Sequence, residues 1–307
     1  MVKRLLNANT SDFEKFSATD LKQSIKASEG RTILSENVVI HEPLDPQITN
    51  SEVARAFGAD LILLNAFDVY NPIVLGMYGQ TSMAGAVGND QVIKDLKHLV
   101  GRPIGINLEP VNDEADMAEN KEEISEGRKV SEKSLQKANE LGVDFICLTG
   151  NPGTGVTNSH IAKAVKMAKE NFDGLIIAGK MHGSGVNEPV VNLDAIDQFL
   201  EAGADIILVP AVGTVWGVGE DEVRSAVERA HGKGALVMSA IGTSQESSEP
   251  STIRNIALHN KTLGVDIQHI GDAGYAGLAP VENIFAMSKA IRGQRHTVSM
   301  IARSINR

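Results

Sequence analysis

The chain has 307 residues, room for one large domain or two average ones, and its 42% hydrophobic content supplies a sizeable core. With 39 acidic against 29 basic residues the formal net charge is −10. That balance excludes a general nucleic-acid or acidic-membrane partner, since both require clustered Lys and Arg.

The opening MVKRLLNANTSDF lacks the apolar core of a secretory signal, and no apolar run reaches the length of a membrane span. A cytoplasmic, soluble protein is expected. Ser11-Asp-Phe-Glu14 has the form of a capping box, and Thr19-Asp-Leu-Lys-Gln starts a second helix. Residues 1–30 therefore read as two helices that cover one mouth of the fold. The apolar runs that follow are RTILSENVV from Arg31, GADLILLN from Gly58, RPIGINLEP from Arg102 and GVDFICLTG from Gly142. After them come DGLIIAGKMHG from Asp173, GADIILVP from Gly203, GALVMSAIGTS from Gly234 and GVDIQHIGD from Gly264. Strands are predicted to begin near residues 32, 60, 103, 143, 175, 205, 235 and 265.

Four of these runs share Gly-[Ala/Val]-Asp ahead of the apolar stretch, and the last three recur at an interval of 61 residues. The glycine follows a helical pattern each time and reads as that helix's stop, while the run behind it reads as a strand buried on both faces. Eight alternating strand–helix units favour a closed (βα)8 barrel over an open doubly wound sheet. One domain is expected: helices over 1–30, barrel over 31–293, and an extension over 294–307 that packs on the wall or on a second subunit of a homo-oligomer. The lone Cys147 sits in an apolar run and is read as a small buried hydrophobe.

Two connections are longer than the pattern needs, 66–90 after strand 2 and 110–130 after strand 3. The second carries seven acidic residues against one Lys over 110–126, which reads as a solvated face and then as a mobile lid. Both emerge at the strands' C-terminal ends, where such barrels hold their active sites.

At that rim the sequence puts polar residues on every strand but the sixth. Lys180, Glu109, His182 and Asp272 are the candidates for catalysis. A lysine beside an apolar barrel has its pKa depressed by desolvation, which suits a Schiff base, a general base or a fixed cation; pairing with Glu109 across the mouth is the structural alternative. Asn65, Asn107 and Asn151 suit substrate hydroxyls. Glu36, Asp68, Glu109, His182 and Asp272 offer oxygen ligands and one imidazole to a divalent ion. Gly150-Asn-Pro-Gly-Thr-Gly155 lacks the Lys-[Ser/Thr] of a P-loop and the third glycine of a dinucleotide fingerprint, so neither NTP nor NAD is expected.

Gly242-Thr243-Ser244 after strand 7 and Gly271-Asp272-Ala273-Gly274 after strand 8 resemble the paired glycine loops of phosphate-binding (βα)8 barrels. That resemblance implies a phosphate held by converging backbone N–H groups and a helix end. Asp272 departs from it, because a carboxylate repels phosphate. Gly271–Gly277 is also similar to the Asp-rich Gly-Tyr-Gly stretch of the phosphoenolpyruvate mutase and isocitrate lyase barrels. In those barrels the motif belongs to an earlier strand, and this chain shows no reactive cysteine loop. Finally, residues 102–284 resemble the BtpA barrel family, in GVDFI after a helix and GADIILV after a Lys/His-bearing strand; that would imply an assembly or regulatory role. The leading expectation is an enzyme acting on a small phosphorylated metabolite, a sugar phosphate, by lyase, aldolase or isomerase chemistry. A metal-dependent lyase or hydrolase and a non-catalytic ligand-binding barrel are the alternatives.

Overall fold

In the computed structural model, which describes residues 2–307, eight parallel strands close into one barrel in chain order. They are β1 (Thr32–Val38), β2 (Leu61–Asn65), β3 (Ile104–Asn107), β4 (Phe145–Leu148), β5 (Leu175–Gly179), β6 (Ile206–Pro210), β7 (Leu236–Ile241) and β8 (Ile267–Ile270). Each begins within two residues of its predicted start.

Successive side chains on a strand face opposite ways, and that alternation divides the core. Leu34, Leu61, Leu63, Phe145, Cys147, Leu175, Ile177 and Met238 fill the barrel's interior. Ile62, Leu64, Ile146, Ile176 and Ala178 pack outward instead, under the surrounding helices. The interior is close-packed: a Cβ on Gly105 would stand 2.2 Å from the ring of Phe145, its partner on the neighbouring strand. Cys147 lies in this apolar filling, and burial pushes its thiol well above the ordinary range, which makes it inert.

The Gly-x-Asp repeat has a structural meaning. Gly58, Gly142, Gly203 and Gly264 all have positive φ, the backbone on which a helix stops. The following aspartate then brackets the start of the preceding strand. Asp60 donates its backbone N–H to the Ile33 carbonyl at 2.9 Å, and its carboxylate accepts from Ile33 N–H at 2.9 Å. The same double bond joins Asp144 to Ile104, Asp205 to Ile176 and Asp266 to Val237. Each carboxylate also meets a basic side chain: Arg292 at 2.7 Å, Lys97 at 2.7 Å, Lys22 at 3.2 Å and His231 at 2.8 Å, in the same order. The barrel is thus built of four two-strand quarters, closed at their N-terminal ends by one repeated device.

Two helices precede β1, displaced slightly from their predicted caps. α1 (Thr10–Phe13) is a single turn in which Asp12 accepts from Asn9 N–H at 2.9 Å, so the box begins two residues before Ser11. α2 (Ala18–Lys26) is capped reciprocally by Ser17 and Asp20. Leu21 and Ile25 plug the barrel's N-terminal mouth with Leu5, against Phe13 and Phe16. Helices α3 (Asn50–Phe57), α4 (Val92–Val100), α5 (Glu132–Leu141), α6 (Asn158–Asn171), α7 (Leu193–Ala202), α8 (Glu220–Gly232) and α9 (Pro250–Thr262) surround the strands. α10 (Val281–Ala302) breaks at Gly293 (φ 72°, ψ 168°) and returns to this same end, where Arg303 donates to the Ala8 carbonyl at 2.7 Å. Among the described residues no helix is long and apolar enough to cross a membrane.

Candidate active site

The inward rows of the strands lead straight into a cavity of about 410 Å³ at the C-terminal rim. Two residues beyond Leu34 on β1 is Glu36, and two beyond Leu63 on β2 is Asn65. Thr149 extends the row of Cys147, Gly242 that of Ala240, and Gly271 that of His269; with Asn107 from β3 they line the wall. His182, Asn151, Thr243, Ser244, Asp272 and Ala273 complete much of it from the loops. Of seven non-glycine residues with positive φ, Ser184, Thr243 and Ser244 line the cavity and Ala66 directly follows Asn65. Such backbone costs roughly 1–2 kcal/mol per residue and collects where a site over-determines its loops.

The polar side chains form one network. Asn107 Nδ2 donates to Glu36 Oε1 at 2.6 Å, while His269 Nε2 lies 2.9 Å from Glu36 Oε2. Asn65 Nδ2 donates to Asp272 Oδ2 at 2.8 Å and to Asn151 Oδ1 at 2.9 Å. Asn151 Nδ2 in turn donates to Asn65 Oδ1 at 3.0 Å and to Glu109 Oε1 at 2.8 Å. Asp272 is only half-buried, yet desolvation together with the nearby charge of Glu36 raises its pKa to about 7. Burial lowers the pKa of His182, leaving it neutral, and its Nδ1 accepts from Ser184 N–H at 3.0 Å. The proton therefore sits on Nε2, free to polarise a ligand oxygen.

Glu36, Glu119, Glu246 and Asp272 give the lining four carboxyl groups and no Lys or Arg. Glu246 reaches it from the one-turn helix Gln245–Ser247 after β7, where burial raises its pKa. Its Oε1 accepts from Ala273 N–H at 3.0 Å, and its Oε2 is buried without a partner. Glu119 arrives on the acidic loop 110–130. That loop is docked rather than free: Ala118 N–H donates to Gly185 at 2.8 Å, Glu122 N–H to Gly153 at 2.8 Å, and Val111 pairs with Val156. Loop 7 is tied to loop 6 by the Thr243 hydroxyl, which donates to the Thr214 carbonyl at 2.8 Å. Loop 6 carries the chain's one tryptophan, Trp216, 99% exposed.

The structure thus gathers Glu36, Asn65, Asn107, Asn151, His182, Asp272 and the loop residues Gly242, Thr243, Ser244, Gly271 and Ala273 around one cavity, and leaves four candidates outside. Lys180 does not line it. On β5 the inward residues are odd-numbered, so Lys180 points away, and its Nζ donates to Glu188 Oε1 at 2.5 Å; the expected pairing with Glu109 is not made. Glu188 also accepts from Asn158 N–H at 2.6 Å, so the lysine pins loop 5 to the start of α6. Replacing Lys180 with Met is expected to cost roughly 1–3 kcal/mol of stability. Borohydride with a carbonyl compound should trap no adduct on residues 175–185; a mass adduct there would make the lysine an imine former. Glu109 is fully buried, held by Arg128 at 2.7 Å, and positions Asn151 instead of facing the cavity. Asp68 is spent on a turn, accepting from Tyr70 N–H at 2.8 Å. With both withdrawn, the five-residue metal set does not assemble, and among the described residues no three His, Cys, Asp or Glu side chains are grouped to hold an ion. Gly274 is needed for the loop itself, since a Cβ there would stand 1.9 Å from the Leu278 carbonyl oxygen.

Sequence reading left Glu119, Glu246 and Ser184 unassigned and gave His269 no role. For His269 the signal existed, because it follows Ile267 by two on an inward row.

Fold and site together define a (βα)8 barrel with a polar, acidic ligand cavity at its C-terminal rim. Residues 6–307 match a family described as a domain of unknown function (DUF7916), and the chain belongs to that family. No curated protein matches it. Among solved structures it is similar to 2,3-dimethylmalate lyase, described as a PEP mutase/isocitrate lyase superfamily member. The TM-score is 0.50 at 12% identity, over 82% of this chain and 80% of that one. Oxaloacetate acetylhydrolase with its product oxalate gives 0.47 at 13%, over 82% and 79%. Thiamine phosphate pyrophosphorylase from Pyrococcus furiosus gives 0.45 at 12%, over 86% and 99%. At 12% identity the likeness to the first of these shows the barrel alone. It carries the barrel part of the BtpA resemblance and not a BtpA relationship.

Proposed function

We propose that the chain is an enzyme of lyase type that moves a proton at the carbon or hydroxyl next to a carbonyl of a small polar substrate, making or breaking the adjoining bond. The observation that carries this reading is Asp272, a carboxyl group on the cavity wall whose pKa near 7 suits proton transfer at neutral pH. Asn65 orients it, the unpartnered Oδ1 of Asn107 is left to accept from a substrate hydroxyl, and the His182 Nε2–H faces developing negative charge on the carbonyl oxygen. Lyase chemistry is named for the similar 2,3-dimethylmalate lyase; here it rests on these side chains.

Loop 7 has the free amides a phosphate would need, since the N–H groups of Gly242, Thr243 and Ser244 donate to nothing among the described residues. On loop 8 the Gly271 and Ala273 amides are already taken by Ile241 and Glu246. With four carboxyls and no Lys or Arg on the wall, the reading favours a carbonyl substrate for which phosphate is not required.

The test is hydrogen exchange. Wild type incubated in D2O with a panel of 2-keto acids, 2-hydroxy acids, free sugars and sugar phosphates should wash out the C–H proton next to the carbonyl of at least one member, or cleave it, as read by proton NMR. Asp272→Asn should not. No exchange or cleavage with any member, or an equal rate in the variant, overturns the reading.

A further inference from the structure

A larger depression, about 570 Å³, lies at the opposite, N-terminal end of the barrel, between α1, the end of α4 and the C-terminal residues 305–307. Arg102 forms part of its wall and is 5% exposed. An arginine so buried ordinarily pairs with a carboxylate. This one does not: among the described residues no acid lies within ion-pair distance of it. Its Nη2 donates to the Met300 sulfur at 2.7 Å and its guanidinium lies 5.3 Å from the centre of the Phe13 ring. The Nε is buried without an acceptor, and Nη1 donates to nothing among the described residues.

The surroundings deepen that deficit. Arg55, Arg292 and Arg303 stand close enough to repel Arg102, against the single opposing charge of Asp60, which Arg292 already holds with two hydrogen bonds. Lys94 and Arg307 add positive groups to the wall, and Lys94 makes no ion pair among the described residues. The two side-chain carboxylates on the wall are weak competitors, Asp144 being held by Lys97 at 2.7 Å and Glu14 being exposed. Phe13, Phe16, Pro103 and Ile305 supply apolar walls.

We propose that this depression binds a small molecule bearing an oxyanion, carboxylate or phosphate, whose charged group takes the free donors of Arg102 while its body lies on the aromatic wall. A guanidinium presents a planar fork that matches either oxyanion with two bonds. The site is separate from the rim cavity and does not depend on the reaction proposed there.

The experiment compares wild type with Arg102→Met by calorimetric titration with inorganic phosphate and with benzoate, and by thermal unfolding in anion-poor buffer. Removing a buried charge that lacks a partner should leave the variant at least as stable as wild type without ligand. Its affinity for the better of the two anions should fall roughly 10–100-fold. Stronger binding of benzoate would identify an organic carboxylate as the ligand type, and stronger binding of phosphate a phosphate group. If Arg102→Met unfolds below wild type in anion-poor buffer, or binds both anions as well as wild type does, the proposal is overturned. Lys94→Gln, an exposed change, should weaken the same titration several-fold, and an unchanged titration would count equally against the site.

Discussion

Asp60→Ala should lower the unfolding free energy by roughly 3–5 kcal/mol, measured by urea titration with a two-state fit. Asp60 is 1% exposed, holds Arg292 through both carboxylate oxygens, and accepts the Ile33 N–H. Truncation strands a buried guanidinium and a buried amide together, which is why the loss exceeds that of an ordinary ion pair. Asp205→Ala, at the equivalent place two quarters on, should cost far less, because Lys22 and Asp205 are both partly solvated. Adding Arg292→Met to Asp60→Ala should recover part of the loss, since the guanidinium that Asp60 held is then removed with it. Equal costs at Asp60 and Asp205, or a loss below about 1 kcal/mol at Asp60, would show that the bracket does not act as described.

Asp272→Asn is expected to slow proton exchange or turnover by about 10²–10⁴-fold, the usual contribution of a positioned acid or base. In wild type the rate should rise with pH through a midpoint near 7, as the carboxyl loses its proton and becomes the base. The variant should lack that limb. Stability should run the other way. The folded-state pKa is raised above 3.8, so the folded chain holds this proton more tightly than the unfolded one. The stability it contributes is complete below the unfolded pKa and is lost as pH rises toward 7. Asp272→Asn, which is neutral throughout, should therefore melt higher than wild type at about pH 8 and close to it in acid. A pH-independent rate in wild type, or a variant that melts lower at about pH 8, would remove Asp272 from the role given to it.

The barrel was legible because the Gly-x-Asp repeat and eight apolar runs are local patterns that burial enforces. The site was legible where strand parity reaches it. Glu36, Asn65 and Gly271 each continue a row whose earlier members fill the interior, and Asn107 follows Gly105, which makes room for Phe145, on the inward row of β3. Lys180 was misplaced because residue type was weighed ahead of parity: Ile177 faces in, and a residue three further on faces out. Glu246 and Glu119 were beyond this kind of reading. One returns to the cavity on a one-turn helix, and the other lies in a loop held down by backbone bonds to Gly153 and Gly185. Backbone pairing of that kind leaves no mark on side-chain choice, so a run of acids looked like a solvated face.

Trp216 gives the molecule an optical handle. As the one tryptophan, it supplies the indole emission, and at 99% exposure that emission should be red-shifted and readily quenched by iodide or acrylamide. Loop 6 is joined to loop 7 through Thr243 and Thr214, so a ligand that draws loop 7 over the cavity should move the indole and change its colour or quenching. An anion in the depression at the far end of the barrel has no such connection to it. The two ends of the barrel can then be followed in one cuvette, one bright to its ligand and the other dark.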